Sequence, residues 1–252
     1  MSKLKDEFKK KMFTYLKEGR SLSYITSKTG IGKTTVYYHM RKLHGRKIKQ
    51  IVIDLDNLER IGEIIGFFAG DGNYYYDSAR WETRIRFYFN KNEKKVIEYY
   101  AKSLEMLIQK KPLIYPRPSI IILEVKSKSF AQFLFGYLVW KPHDKIKTIG
   151  LKNKGLLHNK KFLKGFLRGL LDSDGYVRKG RKEIYYGSAS QSLFQDFVTG
   201  LNYLKIKYKV YLQTREGFAD FHKVRLSGEE VDKFVKLIQP IKAIENDAPT
   251  RN

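Results

Sequence analysis

The chain has no cysteine, which excludes disulfide frameworks and thiolate metal centres. Its five histidines, His39, His44, His143, His158 and His222, show no HxxxH or metal-finger spacing, and no Ser-His-Asp arrangement stands out. No apolar run reaches the roughly 18 residues a membrane span requires, and the opening MSKLKDEFKKK lacks a signal-peptide core. The expectation is an intracellular, cytoplasmic protein that makes no membrane contact. Acidic charge is also in short supply. Against 50 Lys and Arg there are 26 Asp and Glu, a net charge of +24, and the excess runs the whole length. A field of that sign attracts polyanions, so nucleic acid is the leading partner and an anionic membrane the weaker one. Lys, Glu, Ile and Tyr are plentiful, a bias that hints at a thermophilic prokaryote. With 252 residues and 42% hydrophobic content, one or two domains with buried cores are expected.

The first 46 residues read as a small all-α domain. Leu4, Phe8, Met12, Tyr15 and Leu16 have helical spacing over residues 3–18. Ser21 can cap a short helix carrying Leu22 and Ile25, and Gly30 makes a turn. A second helix from near Lys33 points Val36, Met40 and Leu43 inward. Helix, glycine turn, helix is the helix-turn-helix pattern. It would present Thr34, Thr35, Tyr38 and Arg41 to DNA, although a helical docking module reads the same way. The run Gly30-Ile31-Gly32-Lys33-Thr34 is not a phosphate-binding loop, because the required first glycine falls on Ser27 and no apolar strand precedes it. No nucleotide cofactor is expected. Residues 47–57 form a basic, then mixed, linker.

Beyond that linker the sequence repeats. GEIIGFFAGDG (62–72) and GFLRGLLDSDG (165–175) lie 103 residues apart. Gly62, Gly66 and Gly70 in one copy, and Gly165, Gly169 and Ser173 in the other, are four apart and share a helix face. Two such stripes can pack at close backbone approach. Each glycine inside a helix costs about 1 kcal/mol against alanine, so close packing is the purpose the pattern suggests. The acids Asp71 and Asp174 then arrive side by side at the ends of the pair, each before a glycine expected to break its helix.

Each copy continues in the same order: helix, two strands, helix, two strands, helix. The repeats are placed at residues 58–150 and 151–252. In the first, Trp81, Thr83, Ile85, Phe87 and Phe89 share one strand face, with Glu82, Arg84, Arg86 and Tyr88 opposite. In the second, Tyr208, Val210, Leu212 and Thr214 oppose Lys207, Lys209, Tyr211, Gln213 and Arg215. One face is expected on helices, the other basic and aromatic.

The nonapeptides 64–72 and 167–175 resemble the two LAGLIDADG motifs of monomeric homing endonucleases. The second keeps both acids, while Ala69 replaces the earlier acid of the first. The resemblance, over residues 58 to about 245, implies an α+β fold of tandem pseudo-twofold αββαββα repeats whose curved antiparallel sheets lie along the DNA major groove. It implies a monomer that cuts both strands of double-stranded DNA with Mg²⁺ or Mn²⁺. Asp71 and Asp174 would be the metal ligands, with the carbonyls of Gly70 and Ser173 as additional ones. It further implies a polar residue after the second strand, Asn90 (with Ser188 as its counterpart), and one lysine near the end of each repeat, Lys147 and Lys242, with Lys145 close behind Lys147. Arg84, Arg86, Tyr88, Lys126, Tyr185, Lys209, Tyr211, Gln213 and Arg225 are the expected DNA-reading positions. Two alternatives stay open: a non-cleaving DNA-binding regulator, and an RNA-binding maturase.

Overall fold

The computed structural model describes residues 6–44, 51–79, 82–141, 143–178, 181–214 and 219–246. The chain divides into two compact units, Met1–Gln50 and Ile51–Asn252. The first holds α1 (Asp6–Lys17), α2 (Leu22–Thr29) and α3 (Lys33–His44). Ser21 caps α2 by accepting from the Tyr24 amide, and Gly30 takes the left-handed conformation (φ 68°) that ends it. Met12, Leu16, Ile25, Ile31 and Val36 make a separate small core. Leu43, expected inward, is exposed, because it lies in the last turn of α3, beyond what α1 and α2 cover. Phe8 is likewise at the surface, and Leu4 lies outside the described residues.

The second unit follows the expected order twice. The first repeat runs α4 (Leu58–Asp71), β1 (Gly72–Asp77), β2 (Glu82–Asn90), α5 (Lys94–Ile108), β3 (Leu113–Pro116), β4 (Ile120–Lys126) and α6 (Lys128–Tyr137). A two-stranded clip, β5 (Leu138–Val139) with β6 (Gly150–Leu151), encloses the single-turn α7 (Lys145–Thr148). The second repeat runs α8 (Lys160–Asp174), β7 (Gly175–Arg178), β8 (Glu183–Ser188), α9 (Gln191–Tyr203), β9 (Lys209–Gln213), β10 (Phe221–Ser227) and α10 (Glu229–Ile238), followed by α11 (Ile241–Asn246). Both sheets are antiparallel with matching order, β1-β2-β4-β3 and β7-β8-β10-β9.

The alternation in β2 holds: Thr83, Ile85, Phe87 and Phe89 are buried and join the helices in one continuous core. Trp81 lies outside the described residues. In β9 it fails, since Val210 and Leu212 are exposed like their basic neighbours. Position explains this: β9 and its counterpart β3 are edge strands, so half of each strand has no neighbour to shield it, and β3 is exposed throughout.

The axis of the unit is the α4–α8 pair. A Cβ on Gly62 would overlap the Phe162 carbonyl, and one on Gly66 the Phe166 carbonyl. Reciprocally, Gly165 abuts the Glu59 carbonyl, and Gly169 abuts the Glu63 carbonyl and the Phe67 amide. The small-residue stripes therefore bring backbone onto backbone, as their spacing predicts. Gly72 and Gly175 have a different role from the one expected. Both are extended (φ −90° and −86°), a conformation open to any residue. What requires glycine is space, since a Cβ would strike the Phe68 and Leu171 carbonyls.

Candidate active site and nucleic-acid interface

The stripe ends where α4 and α8 end. Gly70 packs against the Ser173 hydroxyl and the Asp174 carboxylate, so the two terminal acids share one small region. Both are shifted in the sense that burial and crowding demand. Asp174 is open to water at its surface, yet the mass of protein beneath it and the charge of Asp71 push its carboxyl up to about 7. Asp71 is raised by burial and by Glu93, against the pull of Lys242 and Lys145. Two acids that resist joint ionisation form a site short of positive charge.

Two lysines flank them. Lys145 is deeply set, donating from Nζ to the carbonyls of Phe68 (2.9 Å), Ala69 (3.0 Å), Gly70 (3.1 Å) and Gly72 (2.7 Å). It also lies 5.1 Å from the centre of the Phe68 ring. Phe68, Ala69 and Gly70 close α4; the Phe68 carbonyl also accepts the Gly72 amide, while helix ends leave their last carbonyls short of partners, and the negative end of the helix dipole adds to the attraction. Burial lowers Lys145 to about 8, opposed by the pull of Asp174 and Asp71. Lys242 does the equivalent at α8, donating to the Ser173 carbonyl at 2.9 Å and pairing with Glu93 at 3.3 Å.

Of the lysines named from the sequence, Lys242 lies at these helix ends and Lys147 does not. It is exposed on α7, and the residue at the site is Lys145, two positions earlier, because one turn of helix turns Lys147 away. The Gly70 and Ser173 carbonyls, expected as metal ligands, each accept a lysine ammonium. Asn90 is exposed at the end of β2, its Oδ1 accepting from the Asn92 amide at 3.0 Å. Ser188 is buried and accepts from the Ser190 amide. The strand registers pair Gly72 with Phe87 and Gly175 with Tyr186, which aligns Asn90 with Ala189 rather than Ser188.

Two further residues bear on the site. Glu93 begins α5 and reaches Lys242. The earlier acid of the second motif, Asp172, accepts from the Tyr100 hydroxyl (3.1 Å) and from the Ile241 and Lys242 amides (3.2 and 3.0 Å), holding the start of α11 and with it Lys242. Burial pushes Asp172 up to about 7. With Ala69 in the first copy, Lys145 has no such anchor and is held by its four carbonyls.

The expected DNA-reading residues lie on the strand faces that point away from the helices. Tyr75, Arg84 and Lys126 form one row across three strands. Tyr176, Tyr185, Arg225 and Lys209 form the corresponding row across four. Tyr211 and Gln213 continue along β9 opposite Lys223 and Phe221, and Tyr88 faces Ile122. In the first unit, Thr34, Tyr38 and Arg41 are exposed on α3 and Thr35 is half-buried. Arg41 sits 5.8 Å from the Tyr37 ring centre.

Residues 161–239 match the family model described as a LAGLIDADG-like domain. Among solved structures, the homing endonuclease I-DmoI, in mesophilic variants, aligns at 20% identity with TM-score 0.57, covering 73% of this chain and 92% of that one. This is the LAGLIDADG endonuclease fold. An I-DmoI variant in complex with its target DNA in the presence of Mg aligns at 20% identity and TM-score 0.56, over 73% and 98% of the two chains. I-DmoI in complex with DNA and Mn aligns at 21% and 0.56, over 72% and 97%. No curated protein matches the sequence. The LAGLIDADG frame gives the paired acids their place, at the foot of the two motif helices. Among the described residues there is no cluster of three or more acid or histidine side chains able to hold a metal, and no helix long and apolar enough to cross a membrane.

Proposed function

We propose that this chain is a sequence-specific endonuclease that hydrolyses one phosphodiester in each strand of double-stranded DNA with the help of a divalent cation. The observation that carries the reading is the meeting of Asp71 and Asp174 at the ends of two helices packed backbone to backbone, with a lysine beside each. The donor set fits Mg²⁺ or Mn²⁺. Both ligands are hard carboxylate oxygens whose mutual repulsion a cation relieves, and Mg²⁺ takes its remaining ligands from water and phosphate. When bound, the cation would supply an activated water and stabilise charge on the leaving oxygen.

The chain's own residues do the rest. The basic sheets bind and orient the duplex along its groove, one repeat per half-site, as a monomer. Asp71 and Asp174 are the residues that would hold the cation. Lys242, kept in place by Asp172 and Glu93, offers a cation to the phosphate charge that builds up during reaction. Lys145 offsets the two carboxylates from beneath. The three-helix unit would read additional DNA as a helix-turn-helix, through Thr34, Thr35, Tyr38 and Arg41.

One observation favours the non-cleaving regulator: lysine ammoniums already occupy the Gly70 and Ser173 carbonyls and partly neutralise the acids. Incubation of the full chain with a randomised duplex library, with Mg²⁺ or Mn²⁺, separates the two readings. Double-strand breaks at a shared sequence support the endonuclease; specific binding without breaks under either ion supports the regulator. If the endonuclease reading holds, Lys242→Met should lower the single-turnover rate about 10² to 10³-fold, the scale for removing one charge-stabilising donor, with DNA affinity changed less than threefold.

A further inference from the structure

The cations on the first repeat's sheet are not free. Arg84 donates from Nε (2.9 Å) and Nη2 (2.6 Å) to Glu82, with Asp77 at 3.9 Å. Arg86 donates from Nε to Glu124 at 2.6 Å. Lys126 pairs with Glu82 at 2.9 Å and reaches Glu124 at 3.9 Å. Glu124 is only 2% exposed, so it is part of the sheet's structure rather than a surface counter-charge. The ring of Tyr75 lies 6.0 and 5.9 Å from the two guanidinium carbons, a further restraint on both.

A protein that needed only phosphate contacts would gain nothing from this arrangement. Each carboxylate subtracts positive charge from the face meant for a polyanion, and phosphate binding depends on that charge. What the pairing does is fix direction. In Arg86 the carboxylate takes Nε, and Tyr88 also bonds the guanidinium; in Arg84 Glu82 takes Nε and Nη2, one edge of the group. An arginine held by one edge presents its remaining donors as a rigid fork, the geometry that meets O6 and N7 of guanine.

We propose that Arg84 and Arg86 are base readers for two guanines, with Glu82 and Glu124 as the residues that position them. The inference rests on the duplex-binding part of the function proposed above and names what that face recognises. Spacing makes it specific. Residues i and i+2 on a strand are about 6.7 Å apart, and successive base pairs are about 3.4 Å apart. The two guanines should therefore lie two base pairs apart in the half-site read by the first repeat.

The test is selection of bound duplexes from a random pool by the full chain, followed by affinity measurement on the selected site and on an unrelated duplex across a salt series. The expected consensus has G·C at two positions two base pairs apart. Arg86→Ala should relax one of them and Arg84→Ala the other, each lowering discrimination there by roughly ten- to a hundredfold. Glu124→Gln should lower discrimination at the Arg86 position about fivefold. It should strengthen binding to the unrelated duplex and steepen its salt dependence by about one ion, because a cation has been released from its partner. Should the buried Glu124→Gln variant fold poorly, the half-buried Glu82→Gln is expected to give the same pattern at the Arg84 position. A consensus without the guanine pair would overturn the proposal. So would arginine variants that weaken all duplexes equally, or glutamate variants that alter neither discrimination nor salt slope. Cleavage at a site lacking the pair overturns this inference alone, whereas absence of specific binding to any duplex overturns the function proposed above as well.

Discussion

Asp174→Asn should leave a protein that is more stable than the parent in the absence of divalent cation. Asp174 ionises near neutrality in the folded chain, about 7 against an ordinary 3.8, so the folded state holds a proton that the unfolded chain has given up. Between those two values stability falls as pH rises, and above 7 the full cost of two facing carboxylates is present. Lys145, lowered to about 8, acts in the opposite direction. Its ammonium costs stability below 8, and the cost is relieved as pH rises from there toward its ordinary value. The site is therefore at its worst near pH 7 to 8. Because Asp174 is open to water, solvent screening reduces the effect of its shift to about 1 kcal/mol, or roughly 2–4 °C in Tm for a chain of this size. The parent-minus-variant stability difference should change by this amount from pH 5 to pH 8 and be offset by millimolar Mg²⁺ at pH 8 only, while the variant keeps the fall that Asp172, also raised to about 7, contributes over the same range. The wild-type-minus-variant difference isolates the pair from Glu59 and Glu82, whose lowered values give stability that is lost only at more acid pH. Equal Tm for parent and variant at pH 8, with no effect of Mg²⁺ on either, would mean the acids do not feel one another.

Gly169→Ala should be among the most damaging single-methyl changes in the chain. The new Cβ would meet the Glu63 carbonyl and the Phe67 amide. Both are backbone atoms of a helix packed along its whole length, so neither can rotate aside. Overpacking of a rigid core costs about 1–3 kcal/mol, occasionally more, and here relief requires moving α4 from α8 and parting Asp71 from Asp174. The expected result is a loss of about 3 kcal/mol or more, read as a fall in denaturant midpoint, with cleavage abolished. Gly136→Ala is the opposite case. A Cβ there meets nothing, and the residue is inside α6, so helix propensity predicts a gain of about 0.5–1 kcal/mol. If the two variants behave alike, the stripe is not the structural element described above.

These two predictions rest on what the sequence made legible. Small residues spaced four apart in two copies, followed by Asp-Gly, located the α4–α8 contact and both terminal acids, since backbone contact between helices demands that pattern. Strict alternation located β2, which has neighbours on both sides. What escaped was whatever lacks a period. Lys145 sits on a single turn and Asp172 anchors a six-residue helix, both too short to leave a periodic trace, so the sequence alone ranks Lys147 ahead of Lys145. The edge strand β9 exposes Val210 and Leu212 on the face that alternation assigns to the interior. Glu124 and Glu183 escaped because a search for DNA-binding residues looks for cations. Their role, Glu183 taking the Tyr185 hydroxyl at 2.9 Å as well as the Arg225 guanidinium, follows only from strand pairing.

The central claim is that the paired acids serve hydrolysis. The direct measurement is single-turnover cleavage of a selected duplex in Mg²⁺ by the parent, Asp71→Asn and Asp174→Asn, with affinity measured in parallel. The account predicts that each variant binds within about threefold of the parent and loses at least about 10³ in rate, the scale on which loss of a catalytic group is felt. Cutting that survives both substitutions would contradict it.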